Sequence, residues 1–127
     1  MIYKFYDTCS LIFHAETAFQ QQDTKIVISS ITIEELKSMR FCMPAAEQVL
    51  NFIKDNPNCC EIHTYTDGML RPFIEKGYSD TTDIKILATA FDYDCCCHPD
   101  ETVFVTNDEN LQIIANYYFG SDSIVTY

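Results

Sequence analysis

The opening "MIYKFYD" alternates apolar and polar positions and is rich in β-formers, so residues 2 to 6 read as a strand that ends at Asp7. Leu11, Ile12, Ala15, Ala18 and Phe19 then recur at near-helical spacing, and the polar "QQQD" closes that helix. "KIVISS" supplies a short apolar strand over 25–29, after which Thr32 opens a second helix, "TIEELKSMRF". Pro44 suits a first helical turn, and Ala46, Val49, Leu50 and Ile53 follow on one face until "DNPN" ends the pattern.

"CEIHTYT" alternates as a third strand, while Pro72 and the two glycines of "GMLRPFIEKGYS" predict a short broken helix. From Asp80 a helix carries Ile84, Leu87, Ala88 and Phe91 on one face, and "DYDCCCHPDE" reads as a loop before the strand "TVFVT". Leu111, Ile114, Ala115 and Tyr118 mark a last amphipathic helix, which Gly120 ends, and "SIVTY" reads as a closing strand. Five strands alternating with helices predict a single three-layer α/β/α domain, residues 1–127, around a mainly parallel sheet. In right-handed βαβ units the helix N-termini and the strand C-termini share one sheet edge, and ligands bind there.

That topology gathers the acids. Asp7 ends the first strand, Glu35 falls in the first turn after the second, Asp83 opens the helix that feeds the fourth, and Asp108 lies just past the fourth. Each taken singly has a structural reading. Thr32 and Glu35 match a capping box, Asp80 can cap its helix with Asp83 near the dipole, and Asn107 or Asp108 can cap the last helix. Together they are harder to explain, because two carboxylates brought to about 4 Å repel by roughly 4 kcal/mol at an effective dielectric near 20. Such a cluster persists when a divalent cation neutralises it, and hard oxygen ligands with open water positions suit Mg²⁺ or Mn²⁺. Metal-assisted phosphoryl chemistry is the expectation that follows.

Charge sharpens the picture. Nineteen acids against eight bases leave a formal charge of −11, which opposes loose attraction to a phosphate backbone. Nucleic acid must therefore be met locally, through cations or through a close pair of bases such as Lys37 and Arg40. No apolar run suits a membrane span and no secretory pattern opens the chain, so a cytoplasmic protein is expected, and its seven cysteines are expected to be reduced. Cys59, Cys60, His63, Cys95, Cys96, Cys97 and His98 lack the C-x-x-C spacing of a structural zinc site.

"YDTCSLI", "SSITIEELKS", "TDIKILATA" and "VFVTNDENLQIIA" resemble, in order and spacing, the four acidic motifs of PIN-domain nucleases, both those that precede PhoH-type ATPases and the toxins of toxin-antitoxin pairs. The resemblance implies a sheet order of 3-2-1-4-5. It implies an endoribonuclease that uses one or two Mg²⁺ or Mn²⁺ ions to cut single-stranded RNA and leave a 5′-phosphate. Asp7, Glu35, Asp83 and Asp108 would be the metal-binding, catalytic carboxylates, with Thr8, Asp80, Thr106 and Asn107 supporting them and Lys37 and Arg40 touching RNA phosphates. Cys9 stands where a small polar Asn or Ser is common. An antitoxin or ATPase partner goes with the resemblance, while Tyr117, Tyr118 and Phe119 exceed what one helix face can bury and are the candidates for an expected homodimer interface.

Competing chemistries fit less well. Haloacid-dehalogenase phosphatases need a second Asp where Cys9 stands, receiver domains need a late lysine, and dinucleotide folds need a glycine-rich turn after the first strand. His14, His63 and His98 form no nucleophilic arrangement. The non-enzymatic rival is a PIN-like binding or scaffolding module, such as a fragment of a longer ATPase protein.

Overall fold

The computed structural model describes residues 1–97, 101–119 and, as backbone, 124–125. In chain order the elements are β1 (Ile2–Tyr6), α1 (Thr8–Ala18), β2 (Thr24–Ser29), α2 (Ser30–Met39), α3 (Pro44–Asp55) and β3 (Cys60–His63). They continue with α4 (Asp67–Glu75), α5 (Thr82–Cys97), β4 (Glu101–Val105), α6 (Glu109–Phe119) and the two-residue β5 (Ile124–Val125). Four strands in the order β3-β2-β1-β4 make the body of a parallel sheet, and β5 adds two residues beside Phe104 and Val105. The expected closing strand is thus represented only by Ile124 and Val125. His98, Gly120 and the rest of "SIVTY" lie outside the described residues.

Strand alternation builds the layers. Phe5, Val27 and Phe104 point to one face and pack with Phe73, Leu87, Tyr93 and Leu111 from α4, α5 and α6. Tyr6, Ile26, Ile28 and Val105 point to the other and meet Leu11, Leu36, Ala46 and Val49 from α1, α2 and α3. Because a strand's side chains alternate, these near-continuous apolar runs are what a sheet covered on both faces requires.

Several helix boundaries differ from expectation. α2 begins at Ser30, because Ser29 caps it by accepting from the Ile31 amide at 3.2 Å, while its own hydroxyl donates to Thr89 at 2.9 Å. Thr32 is therefore buried within the helix instead of capping it, and Glu35 falls in its second turn. Similarly, Thr81 and not Asp80 caps α5, accepting from the Ile84 amide at 3.3 Å.

Residues 92–97, expected to be a loop, extend α5 to Cys97. Tertiary partners hold them there. Tyr93 is buried, packs edge-on against Phe5 and donates to Glu61 at 2.8 Å, Asp92 pairs with His63 at 2.8 Å, and Asp94 accepts from Thr102 at 2.7 Å. All seven cysteines are free thiols.

α4 is one unbroken helix despite Pro72. The carbonyl left without its amide partner belongs to Gly68, which is exposed, so water can satisfy it, while Leu70 and Phe73 anchor the buried side. Its end is a Schellman motif: Gly77 at φ +92° donates to the Ile74 carbonyl and Tyr78 to the Phe73 carbonyl, both at 3.0 Å, and the Tyr78 ring packs on Phe73. Open space surrounds the Gly77 Cα, so only backbone strain opposes a side chain there. Gly77→Ala should cost about 1 kcal/mol in urea unfolding; an unchanged midpoint would show that the left-handed turn is not what ends α4.

Candidate active site

β1 is the point at which the chain's strand order reverses, with β2 on one side and β4 on the other, and the site lies at the carboxyl edge there. Asp7 follows β1 directly and is buried. Its Oδ1 accepts from the Ser10 amide at 2.8 Å and so caps α1, while its Oδ2 accepts a short hydrogen bond from the buried Thr106 hydroxyl beyond β4. One carboxylate thus closes a helix and ties together two adjacent strand ends.

Glu35 reaches the same place from α2 and accepts from the Thr8 hydroxyl. That hydroxyl also lies 3.2 Å from the Thr32 hydroxyl. A hydroxyl carries one proton, so Thr8 gives it to the charged acceptor and Thr32 can donate to Thr8 in turn. Asp108 caps α6 through the Leu111 amide at 3.0 Å, and its own amide donates to Thr106 at 3.1 Å. Asp83 comes from the first turn of α5.

A cleft of about 280 Å³ is lined by Asp7, Thr8, Cys9, Glu35, Asp83, Asn107 and Asp108. All four expected carboxylates therefore face one space, with Thr8 and Asn107 beside them and Thr106 behind Asp7. Asp80 is exposed and does not line the cleft, and neither does Lys37, exposed on α2, nor Arg40, exposed at its C-terminal cap. Lys85, not among the expected phosphate contacts, borders the neighbouring space. It lines that adjoining cleft together with Glu34, Glu35, Ser38 and Thr82. The usable signal was Thr82 and Lys85, three residues apart and hence on one helical face.

Asp83 stands under repulsion. Its carboxyl is held above the usual range, first by partial burial and then by the negative charges of Asp7, Asp108 and Glu35. It accepts no hydrogen bond among the described residues, whereas Asp7, Glu35 and Asp108 each do. The Cys9 thiol is likewise pushed up, by burial first and then by Asp7, Asp83 and Glu35, so it stays protonated and is no nucleophile at neutral pH. Ser10 is fully buried and does not line the cleft, so it supplies no hydroxyl in place of the expected small polar residue.

Apart from that neutral thiol, the cleft offers oxygen donors, the set that hard divalent cations prefer. Among the described residues, no three His, Cys, Asp or Glu side chains are grouped closely enough to hold a metal ion as they stand. The acids line one cleft without closing on a common point.

An acidic cleft at the switch point of a parallel α/β sheet defines a class, and the comparisons supply the family. Residues 5–118 match the family model described as PIN domain, and the chain belongs to that family, whose members are generally nucleases. Among solved structures, VapBC2 from Rickettsia felis, bound to a DNA fragment from its promoter, is similar at 20% identity and a TM-score of 0.56, covering 99% of this chain and 98% of that one. A domain of a functionally unknown protein from Methanocaldococcus jannaschii is similar at 16% identity and a TM-score of 0.56, covering 98% of this chain and 89% of that one. At those identities the likeness shows the fold. No curated protein matches significantly.

The raised Asp83 carboxyl fixes the sign of a pH effect. Its proton is bound more tightly in the folded state, so between the ordinary carboxylate value and the raised one the folded chain holds more protons, and stability falls as pH rises through that window. In metal-free protein at pH 7, Asp83→Asn should raise the melting temperature and flatten that part of the profile; a lowered melting temperature would show that the charge is not under repulsion.

Proposed function

We propose that the chain is a divalent-metal-dependent endoribonuclease that hydrolyses phosphodiester bonds in single-stranded RNA at the cleft of Asp7, Glu35, Asp83 and Asp108. The observation that carries the reading is that four acids from four separate elements line one small cleft in which they repel each other. Stability alone gives no reason for that arrangement. Mg²⁺ keeps several of its waters and takes only one or two carboxylates directly, so an open set of acids suits a hydrated ion better than a closed cage would. When bound, the ion would neutralise phosphate charge and lower the pKa of water.

The chain's own groups supply position. Thr106 and the Ser10 amide fix both oxygens of Asp7, Thr8 fixes Glu35, and the α6 amides fix Asp108, which leaves Asp83 the least constrained of the four. Cys9 stays neutral and adds no charge. Lys85, on the flank of Glu35, would meet a neighbouring phosphate of the strand, the role first expected of Lys37 and Arg40. VapBC2 was solved bound to a DNA fragment from its promoter, and an antitoxin is the partner to seek for this chain, along with a second copy of it. Of the expected interface aromatics only Tyr117 is strongly exposed, since Tyr118 packs on Phe73 and Phe91, and Phe119 on Phe104.

Purified protein with labelled single-stranded RNA should cut only when Mn²⁺ or Mg²⁺ is present and should stop with EDTA. Asp7→Asn and Asp83→Asn should each lower the rate about 100-fold or more, as expected when several kcal/mol of transition-state stabilisation are lost. Cleavage that survives EDTA, or either substitution, would overturn the mechanism, and failure of Mn²⁺ to raise the melting temperature would leave the scaffolding module ahead. Lys85→Ala should weaken RNA binding evenly across sequences and reduce its salt dependence by about one phosphate contact; Lys37→Ala should do neither.

A further inference from the structure

The acid cleft shares a wall with a second one. Asp83 and Asp108 also border a cavity of about 340 Å³ whose other sides include Tyr78, Ile84, Leu111, Ile114 and the exposed amide of Asn110, with Ser79 and Thr81 adding hydroxyls. We propose that this cavity is a nucleobase subsite, which takes one unpaired base of the strand whose phosphate lies at the acids. The proposal rests on the nuclease reading for the identity of that strand.

Charge decides what enters. No Lys, Arg or His lines this cavity, so beyond the acids it shares with the neighbouring cleft nothing there would hold a second phosphate, and the part of a nucleotide that fits is the uncharged base. The remaining lining matches it. Ile84 and Leu111 are buried, Ile114 is partly so, and together they give an apolar surface, at a volume near the low end of the roughly 300–1,000 Å³ typical of small-ligand pockets. Tyr78 supplies an aromatic wall on an ordered turn. Its amide is bound to the Phe73 carbonyl, its ring rests on Phe73, and Gly77 sets the turn before it. A platform ordered in advance loses little entropy when a base stacks on it. Asn110 carries one acceptor and two donors at the rim, enough to pair with the edge of a base.

A base within a duplex has its faces and its pairing edge occupied, so this subsite admits only an unpaired nucleotide. Preference for single strands then follows from the pocket beside the acids, not from the acids themselves. The opposite flank, with Lys85 and Glu34, is the polar one. The strand would therefore lie with a base on the α6 side and backbone on the α2 side.

The test uses the full chain and short single-stranded RNA oligonucleotides carrying 2-aminopurine at successive positions, whose fluorescence is quenched on stacking. Quenching should peak at one position, fall about tenfold in apparent affinity in Tyr78→Leu, and survive in Tyr78→Phe. Removing the base at that position alone should raise KM for cleavage by a similar factor, with kcat little changed. Asn110→Ala, at an exposed site that leaves folding intact, should reduce discrimination among the four bases there. If RNA is cut, but base removal, Tyr78→Leu and Asn110→Ala all leave KM unaltered, the subsite is wrong and the nuclease stands. If no RNA is cut, but position-specific quenching is lost in Tyr78→Leu, the subsite stands and the nuclease reading fails; cleavage of duplex as fast as single strand overturns the subsite.

Discussion

The constraint on which the site depends is the holding of like charges at one sheet edge without a basic partner. The described ion pairs, Lys25 with Glu61 and His63 with Asp92, involve none of the four cleft acids. Neutral donors hold them instead: the Thr106 hydroxyl and Ser10 amide at Asp7, the Thr8 hydroxyl at Glu35 and the Leu111 amide at Asp108. Hydrogen bonds of this kind stabilise the charged form of a carboxylate. Asp83 accepts none among the described residues, and its carboxyl is displaced upward by partial burial and by the charges of Asp7, Asp108 and Glu35. Repulsion left uncancelled in the folded chain is free energy that a bound cation can recover, which couples the site to the stability of the domain.

Topology makes that concentration of charge feasible. The parallel sheet puts strand ends and helix beginnings on one edge, and β1 sits where neighbouring connections diverge. Helix N-termini carry partial positive charge and free amides, so acids placed there are stabilised as caps even while they face each other across the cleft. Asp7 and Asp108 show both roles at once, because a carboxylate has more lone pairs than one capping amide uses. A carboxylate that caps a helix can thus still line the cleft.

Much of this was legible along the chain. Alternation and β-rich runs marked the strands at 2–6, 25–29 and "TVFVT", and the acids were visible because each stands near a boundary between a strand and a helix. What was not legible depends on distant partners. The run after Phe91 looks like a loop because its asparagine-like acids and cysteines are poor in periodicity, yet His63, Glu61, Phe5 and Thr102 hold it as helix. Thr81 displaced Asp80 as the cap, and Ser29 displaced Thr32, since a boundary shift of one to three residues is decided by packing and not by local preference. Lys85 escaped notice because it is two residues from Asp83, a spacing that points away on a helix, and only the neighbouring α2 makes a second cleft there.

By itself the sequence determined the class of the fold, the edge to which the acids are brought and their character as hard oxygen donors, because these follow from periodicity and residue type. Only the tertiary structure decided which donor holds which oxygen, that Asp83 stands under repulsion, that Cys9 stays protonated, and that a pocket with a tyrosine wall adjoins the acids. Those properties are set by distances between elements far apart in the chain, as between Thr106 and Asp7, and no local pattern encodes them.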